Sequence, residues 1–176
     1  VAGEVDIMTI GMNGMSALEQ GQEIQFIGAW PASAPFSIVV AEDTEAAKYP
    51  HDFQKVMDAL VGVGIGTTVP GAFTDNITRY LVTLSGHTLD EIPVTPAGDA
   101  SAQVAGLKSG TFKAGFVTSP LFEQLIAEGG FVQVLNLWEG DIPGFTVPVA
   151  TPAVQRSWAE QNPELIAGFQ RAVQRA

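Results

Sequence analysis

Apolar residues along the chain follow two alternating patterns, one typical of helices and one typical of strands. Between residues 51 and 62 they recur at i, i+3, i+4, i+7 and i+8, which predicts a helix with one face in a core. Strands that alternate with helices at the spacing found here are typical of an open, mostly parallel α/β sheet. Start and stop residues predict further helices over 16–20, 70–85, 99–110 and 120–130. Short apolar runs predict strands at 3–11, 23–30, 36–42, 62–67, 91–97, 112–118 and 132–137.

Single residues indicate where several of these helices begin. Ser16 and Glu19 have the spacing of a capping box, so we expect a helix to start there. Pro70 is expected in the first turn of its helix, and Asp99 is expected to cap the next one. Near the end of the chain, Thr151-Pro152 is expected to start a helix after a last extended segment.

Charge and composition limit the kinds of partner that suit this chain of 176 residues. Nineteen acidic residues against eight Lys and Arg give a net charge of −11, which argues against nucleic acid because phosphate contacts need clustered cations. The absence of cysteine excludes disulfides, thiolate metal sites and a cysteine nucleophile. A hydrophobic content of 46% suits a sizeable core, yet no apolar run approaches the ~20 residues of a membrane-spanning helix. The first residue is Val1, so we expect a segment upstream of it.

The stretch GTTVPGAF, at residues 66–73, joins a predicted strand to a predicted helix. Its glycines have the spacing of a phosphate-binding P-loop, but Ala and Phe stand where that motif needs Lys and a hydroxyl side chain. What remains is a helix N-terminus with backbone amides, two threonine hydroxyls and an aromatic wall, which suits a carboxylate, sulfonate, phosphate or amide-like group. The alternative is a plain turn in which Thr68 caps the helix. The candidate ligand-binding residues in this loop are Thr67, Thr68, Gly71, Ala72 and Phe73.

Further candidates follow the predicted strands, because open α/β sheets bind ligands at the carboxyl ends of their strands. Asn13 follows the first strand and can both donate and accept, although Asn13-Gly14 also suits an ordinary turn. Ser119 could donate to a ligand or cap the helix that starts at Pro120. Aromatic and methionine side chains could hold an apolar body, or pack in the core. The candidate ligand-binding residues outside the loop are Met12, Asn13, Trp30, Thr118 and Ser119.

Residues that could perform catalysis are scarce. His51 and His87 are isolated histidines without a second ligand at metal-binding spacing. The acidic runs lack the pattern of a calcium loop, and no nucleophile motif of a serine hydrolase occurs. We therefore expect no catalytic residue, no metal and no cofactor, and these residues do not favour an enzyme.

Four stretches in order resemble one family across nearly the whole chain. They are AGEVDIMTIG, LVGVGIGTTVPGAFTDNITRYL, AGLKSGTFKAGFVTSPLFEQLIAEGG and NPELIAGFQRAVQRA. They resemble segments of the substrate-binding proteins of nitrate/sulfonate/taurine-type ABC transporters. Lys113 stands where that family usually has Asp, and Val63-Gly64 replaces a pair of lysines, so the resemblance does not extend to a subfamily.

The resemblance implies a type 2 periplasmic-binding-protein fold, with two α/β lobes, two hinge crossovers and a ligand held in the cleft between the lobes. The outer lobe would comprise 1–41 and 139–176, the central lobe 42–138, with hinges near 36–42 and 137–145. N-terminal and C-terminal portions typical of the family are expected to be missing from this chain.

The function that the resemblance implies is solute binding for an ABC importer, with a membrane permease and a small-molecule ligand as partners. The ligand would be a sulfonate, a carboxylate or a heteroaromatic such as a pyrimidine. The protein would be a monomer, exported to the periplasm or lipid-anchored outside the cell. The alternative is an enzyme on the same fold, of the kind found in menaquinone or thiamine-pyrimidine biosynthesis.

Overall fold

The computed structural model describes residues 5–11, 13–28, 35–145 and 151–175. Contacts divide the chain into a smaller unit, 1–33 with 146–176, and a larger unit, 34–145. The larger unit thus includes the segments 36–41 and 139–145 that the resemblance assigned to the outer lobe. The assignment of lobes and hinges stays a prediction.

Five strands of the larger unit form one mixed sheet in the order β5-β4-β6-β3-β7. Strand β4 is parallel to both β5 and β6, whereas β3 is antiparallel to both β6 and β7. Four of the five strands therefore run in the same direction, as expected of a mostly parallel sheet, and β3 alone runs against them. The strands are β3 (Phe36–Ala41), β4 (Ile65–Thr67), β5 (Val94–Pro96), β6 (Ala114–Thr118) and β7 (Phe131–Asn136).

Helices cover this sheet and supply much of the core. The predicted stripe of α2 is buried at Phe53, Val56, Met57 and Leu60, whereas Val61 lies just past the helix and is exposed. A second cluster of β3, β6, α4 and α5 side chains is centred on Val39, Leu107, Val117, Phe122 and Leu125. The helices are α2 (Phe53–Ala59), α3 (Phe73–Leu84), α4 (Ala100–Lys108) and α5 (Leu121–Glu128), with a 3₁₀ turn at Glu45–Lys48.

The smaller unit contains a three-stranded antiparallel sheet in the order β1-β8-β2. Its core joins Ile27 and Val154 to Ala159, and Ile166 and Phe169 of the last helix pack against this cluster. The strands are β1 (Ile7–Ile10), β2 (Ile24–Phe26) and β8 (Thr151–Gln155), and the helices are α1 (Asn13–Glu19), α6 (Arg156–Gln161) and α7 (Pro163–Val173).

Three predicted helix starts are wrong and one is confirmed. Ser16 lies inside α1, which begins three residues earlier. Pro70 precedes α3, whose N-cap is Ala72. Thr151-Pro152 lies in β8, because the residue before a proline prefers extended backbone. Asp99 caps α4 as expected, since its carboxylate accepts from the Ala102 amide at 2.7 Å.

Across the described ranges, no helix is both long enough and apolar enough to cross a membrane.

Candidate functional site

The predicted loop and the Thr118–Ser119 pair lie at one edge of the larger sheet. Strands β4 and β6 are parallel, so their carboxyl ends meet at this edge. Strand β3 is antiparallel to β6, and its first residue, Phe36, is paired with Thr118. The edge therefore combines the end of β4, the end of β6 and the beginning of β3.

The loop between β4 and α3 is organised around the buried carboxylate of Asp75. One oxygen accepts from the Gly71 amide at 3.0 Å, and the other accepts from the Thr67 hydroxyl at 3.5 Å. Arg79 donates through Nε to both oxygens at 3.1 and 3.2 Å. Only 3% of Asp75 is exposed, so the carboxylate acts as an internal anchor for the loop.

The pKa of Asp75 reflects this arrangement. Burial raises it, but the hydrogen bonds from Arg79, Gly71 and Thr67 and the charge of Arg79 outweigh burial and hold it below the usual range. Sequence reasoning missed both Asp75 and Arg79 as parts of this loop. The signal was present, because an Asp and an Arg four residues apart in the first turns of a helix commonly pair.

A second bond pair fixes the other side of the loop. The hydroxyls of Thr68 and Thr74 are 2.5 Å apart, and the Thr68 amide donates to the Thr74 hydroxyl at 3.3 Å. Thr68 therefore does not cap α3, and the alternative of a Thr68 cap is wrong. The threonine hydroxyls predicted to hold a ligand bond instead within the loop.

At the start of α3, backbone donors lack a partner among the described residues. Its N-cap, Ala72, has no side chain that could accept a hydrogen bond. Among the described residues, none accepts from the amides of Phe73 or Thr74. Unpaired amides at a helix start carry partial positive charge and favour an oxygen acceptor.

Aromatic rings lie beside these amides. The Phe73 and Phe36 ring centroids are 5.1 Å apart, and Phe36 stacks on Phe116 at 5.4 Å. Phe116 is fully buried, whereas Phe36 and Phe73 are half-buried. The sheet edge therefore combines free backbone donors with an apolar aromatic surface.

Thr118 and Ser119 lie at the same edge, with their hydroxyls engaged. Thr118 donates to the carbonyl of Pro35 at 3.2 Å, and Ser119 donates to the Glu123 carboxylate at 2.7 Å. Ser119 does not cap α5, whose N-cap is Pro120. A ligand at this edge would have to compete with these bonds or contact other atoms of the two residues.

The remaining candidates belong to the smaller unit. Met12 and Trp30 lie outside the described residues. Asn13 is the first residue of α1, so Asn13-Gly14 lies in a helix and does not form the turn considered as its alternative.

The histidines pair with carboxylates. His51 Nδ1 lies 2.9 Å from Asp141 Oδ2, and His87 Nε2 lies 2.9 Å from Asp58 Oδ1. Within the part of the chain that the structure describes, no group of three or more His, Cys, Asp or Glu could hold a metal ion.

The fold with this sheet edge is that of the periplasmic solute-binding proteins, as solved structures show. The periplasmic aliphatic sulphonate binding protein SsuA from Escherichia coli matches with a TM-score of 0.76 and 19% identity, over 95% of this chain and 53% of that protein. The alkanesulfonate-binding protein SsuA from Xanthomonas axonopodis pv. citri, bound to MOPS, matches with a TM-score of 0.65 and 19% identity. The match covers 90% of this chain and 50% of that protein. The periplasmic nitrate-binding protein NrtA from Synechocystis PCC 6803 matches with a TM-score of 0.64 and 16% identity. The match covers 92% of this chain and 44% of that protein.

The chain belongs to the NMT1-like family, whose model matches residues 1–176. The chain spans about half the length of the solved structures that it matches. Comparison with curated proteins gives no match. Family and fold confirm the predicted resemblance to nitrate/sulfonate/taurine-type binding proteins, and the matched structures are named as binding proteins, as the sequence led us to expect.

Proposed function

We propose that the protein carrying this chain is the solute-binding component of an ABC importer, which binds a small polar or anionic organic ligand and presents it to a membrane permease. The candidate ligands are sulfonates, carboxylates and heteroaromatics such as pyrimidines. The family match supports this function, as do the sulfonate- and nitrate-binding proteins with the same fold. The protein would act as a monomer, in the periplasm or lipid-anchored outside the cell.

The observation that carries the proposed site is the combination of free amides and exposed rings at the start of α3. The amides of Phe73 and Thr74 can donate to a carbonyl, carboxylate or sulfonate oxygen. The partly exposed rings of Phe36 and Phe73 offer apolar surface to the body of the same ligand. In this proposal, Thr67, Thr68 and Gly71 shape the loop through Asp75 and Thr74.

The other predicted contacts complete the proposal. Thr118 and Ser119 lie at the same sheet edge and would line the site. Met12, Asn13 and Trp30 remain proposed ligand contacts on the basis of the sequence.

Ligand binding is tested by thermal unfolding of the full-length protein against a panel of sulfonates, carboxylates and pyrimidines. A ligand that binds the folded state raises the free energy of unfolding by RT ln(1 + [L]/Kd), about 2.7 kcal/mol at a hundredfold excess over Kd. Mass spectrometry of small molecules that co-purify with the protein would identify the natural ligand. The absence of any shift across the panel would count against this function.

The placement of the site is tested by replacing one ring. Phe73→Ala should weaken binding of the panel's best ligand by about tenfold, because an aromatic contact and its apolar area are lost. Phe131→Ala is the matched control, since Phe131 begins β7 at the opposite edge of the sheet. Equal losses in both variants would contradict the placement.

A further inference from the structure

Every cationic side chain of the larger unit is already paired with a carboxylate. Residues 35–145, all of which the structure describes, contain five Lys and Arg against thirteen Asp and Glu. The unit therefore carries a formal excess of eight negative charges. The five ion pairs are Lys48–Glu45, Lys55–Asp52, Arg79–Asp75, Lys108–Glu128 and Lys113–Asp43.

Arg79 is the cation of this unit that lies at the loop of the proposed site, and Asp75 neutralises it. The Arg79 Nε atom is bonded to both carboxylate oxygens, and the carboxylate also takes the amide of Gly71. Asp75 lies in the first turn of α3, where a negative charge offsets the partial positive charge of the helix start. The Asp75–Arg79 pair thus carries no net charge, and an anion placed against α3 would find no unpaired Lys or Arg of this unit.

The neighbouring surface favours a planar apolar body. Phe36 and Phe73 form a tilted pair, 5.1 Å between centroids, and both keep part of their surface exposed. Aromatic faces attract rings and weakly basic groups and offer nothing specific to a compact oxyanion.

From these two observations we infer that the larger unit selects an uncharged or weakly basic planar ligand and discriminates against sulfonates and carboxylates, with Asp75 as the residue that determines this specificity. The inference rests on the proposed solute-binding function and narrows its ligand class. The carbonyl oxygen of an amide, or an unprotonated ring nitrogen, would accept from the α3 amides without bringing a negative charge to the site. A sulfonate would find no net positive charge at the Asp75–Arg79 pair and would be repelled by the excess negative charge of the unit.

The test compares ligands of the same shape that differ in charge. Binding of benzenesulfonamide and benzenesulfonate, and of benzamide and benzoate, is measured by calorimetry on the full-length protein at pH 7. We expect the neutral member of each pair to bind about tenfold more tightly, the size of a charge effect of ~1.4 kcal/mol. Tighter binding of the anions would overturn the inference and leave the solute-binding function intact. Binding of none of the four compounds would overturn the inference, whereas the proposed function fails only if the wider thermal panel also gives no shift.

A charge variant assigns the specificity to Asp75. Asp75→Asn keeps an oxygen that can accept from the Gly71 amide and frees the charge of Arg79, so benzenesulfonate should gain about tenfold in affinity while benzenesulfonamide stays unchanged. The double variant Asp75→Asn with Arg79→Gln removes both charges and should give most of that gain back. Asp52→Asn is the matched control, because Asp52 also pairs with a cation in a helix start and lies in a different helix. An unchanged sulfonate affinity in a folded Asp75→Asn protein, verified by circular dichroism, would overturn the role of Asp75.

Discussion

Gln103 joins the two strands that carry the proposed site. Its side chain is 1% exposed, and its Nε2 atom donates to the carbonyl of Gly66 in β4 at 2.7 Å and to that of Phe116 in β6 at 2.9 Å. The direct pairing of β4 with β6 is short, with a single register pair at Gly66 and Gly115. The side-chain amide of Gln103, which lies in α4, thus links β4 to β6 through two hydrogen bonds.

Replacing this amide by an apolar group of similar length should destabilise the larger unit. Gln103→Met keeps an unbranched side chain in the same space but removes both donors. Each lost hydrogen bond costs ~0.5–1.5 kcal/mol, and the carbonyls are left with fewer partners in a buried position. We therefore expect a loss of about 2–3 kcal/mol in the free energy of unfolding.

Urea denaturation followed by circular dichroism gives the total change, and hydrogen exchange with mass spectrometry locates it. Peptides from β4 and β6 should exchange faster in Gln103→Met, while those from β1 and β8 in the smaller unit should not change. Gln124→Met is the matched control, because Gln124 is exposed on α5 and should cost less than ~0.5 kcal/mol. If Gln103→Met unfolds at the same urea concentration as Gln124→Met, the two hydrogen bonds do not hold the strands together.

Three further predictions concern caps, close packing and pH. Asp99→Ala should cost ~1 kcal/mol through loss of its cap on α4, whereas the exposed Ser101→Ala should change the urea midpoint little; equal midpoints would contradict the cap. Gly106→Ala should cost ~1–3 kcal/mol by thermal unfolding, because its new methyl group would overlap the Phe112 ring, whereas Gly168→Ala in the open face of α7 should be neutral or stabilising. The lowered pKa of Asp75 means that its ionised form stabilises the fold above the unfolded pKa of about 3.9 and that this stability is lost as pH falls through the folded pKa. In urea titrations from pH 7 to pH 3, the advantage of the wild type over Asp75→Asn should shrink on acidification, and a constant difference would refute this linkage.

Local sequence predicted the elements better than their boundaries. The buried stripe of α2 follows from the periodicity of its apolar residues. The cap at Asp99 follows from a side chain that bonds its own helix. Both features involve only residues that are close together in the sequence. The start of α3 was misplaced because Pro70 and Thr68 both suit a helix start, while the chain uses Thr68 to bond Thr74. Two local rules competed, and the packing of the loop decided between them.

The sequence suggested a candidate site, but it did not reveal the hydrogen bonds that its residues make. The carboxyl end of a strand followed by a helix start is a local pattern, and it pointed to the stretch from Thr67 to Phe73. Whether the Thr67 hydroxyl faces a ligand or the Asp75 carboxylate depends on how the loop folds back on α3. That return is fixed by the burial of Asp75 and by its bond to Arg79.

By itself, the sequence determined the α/β class, the acidic charge and the family, because these depend on residue types and their order along the chain. Tertiary structure decided which strands are neighbours, since β3 pairs with β6 and β7 across long stretches of chain. Tertiary structure also decided which hydrogen-bond donors remain available, because a bond between groups far apart in the sequence produces no recognisable pattern in that sequence. Among the residues that the structure describes, the larger unit thus has unpartnered amides at the start of α3 and no unpaired Lys or Arg, a combination that only the folded chain defines.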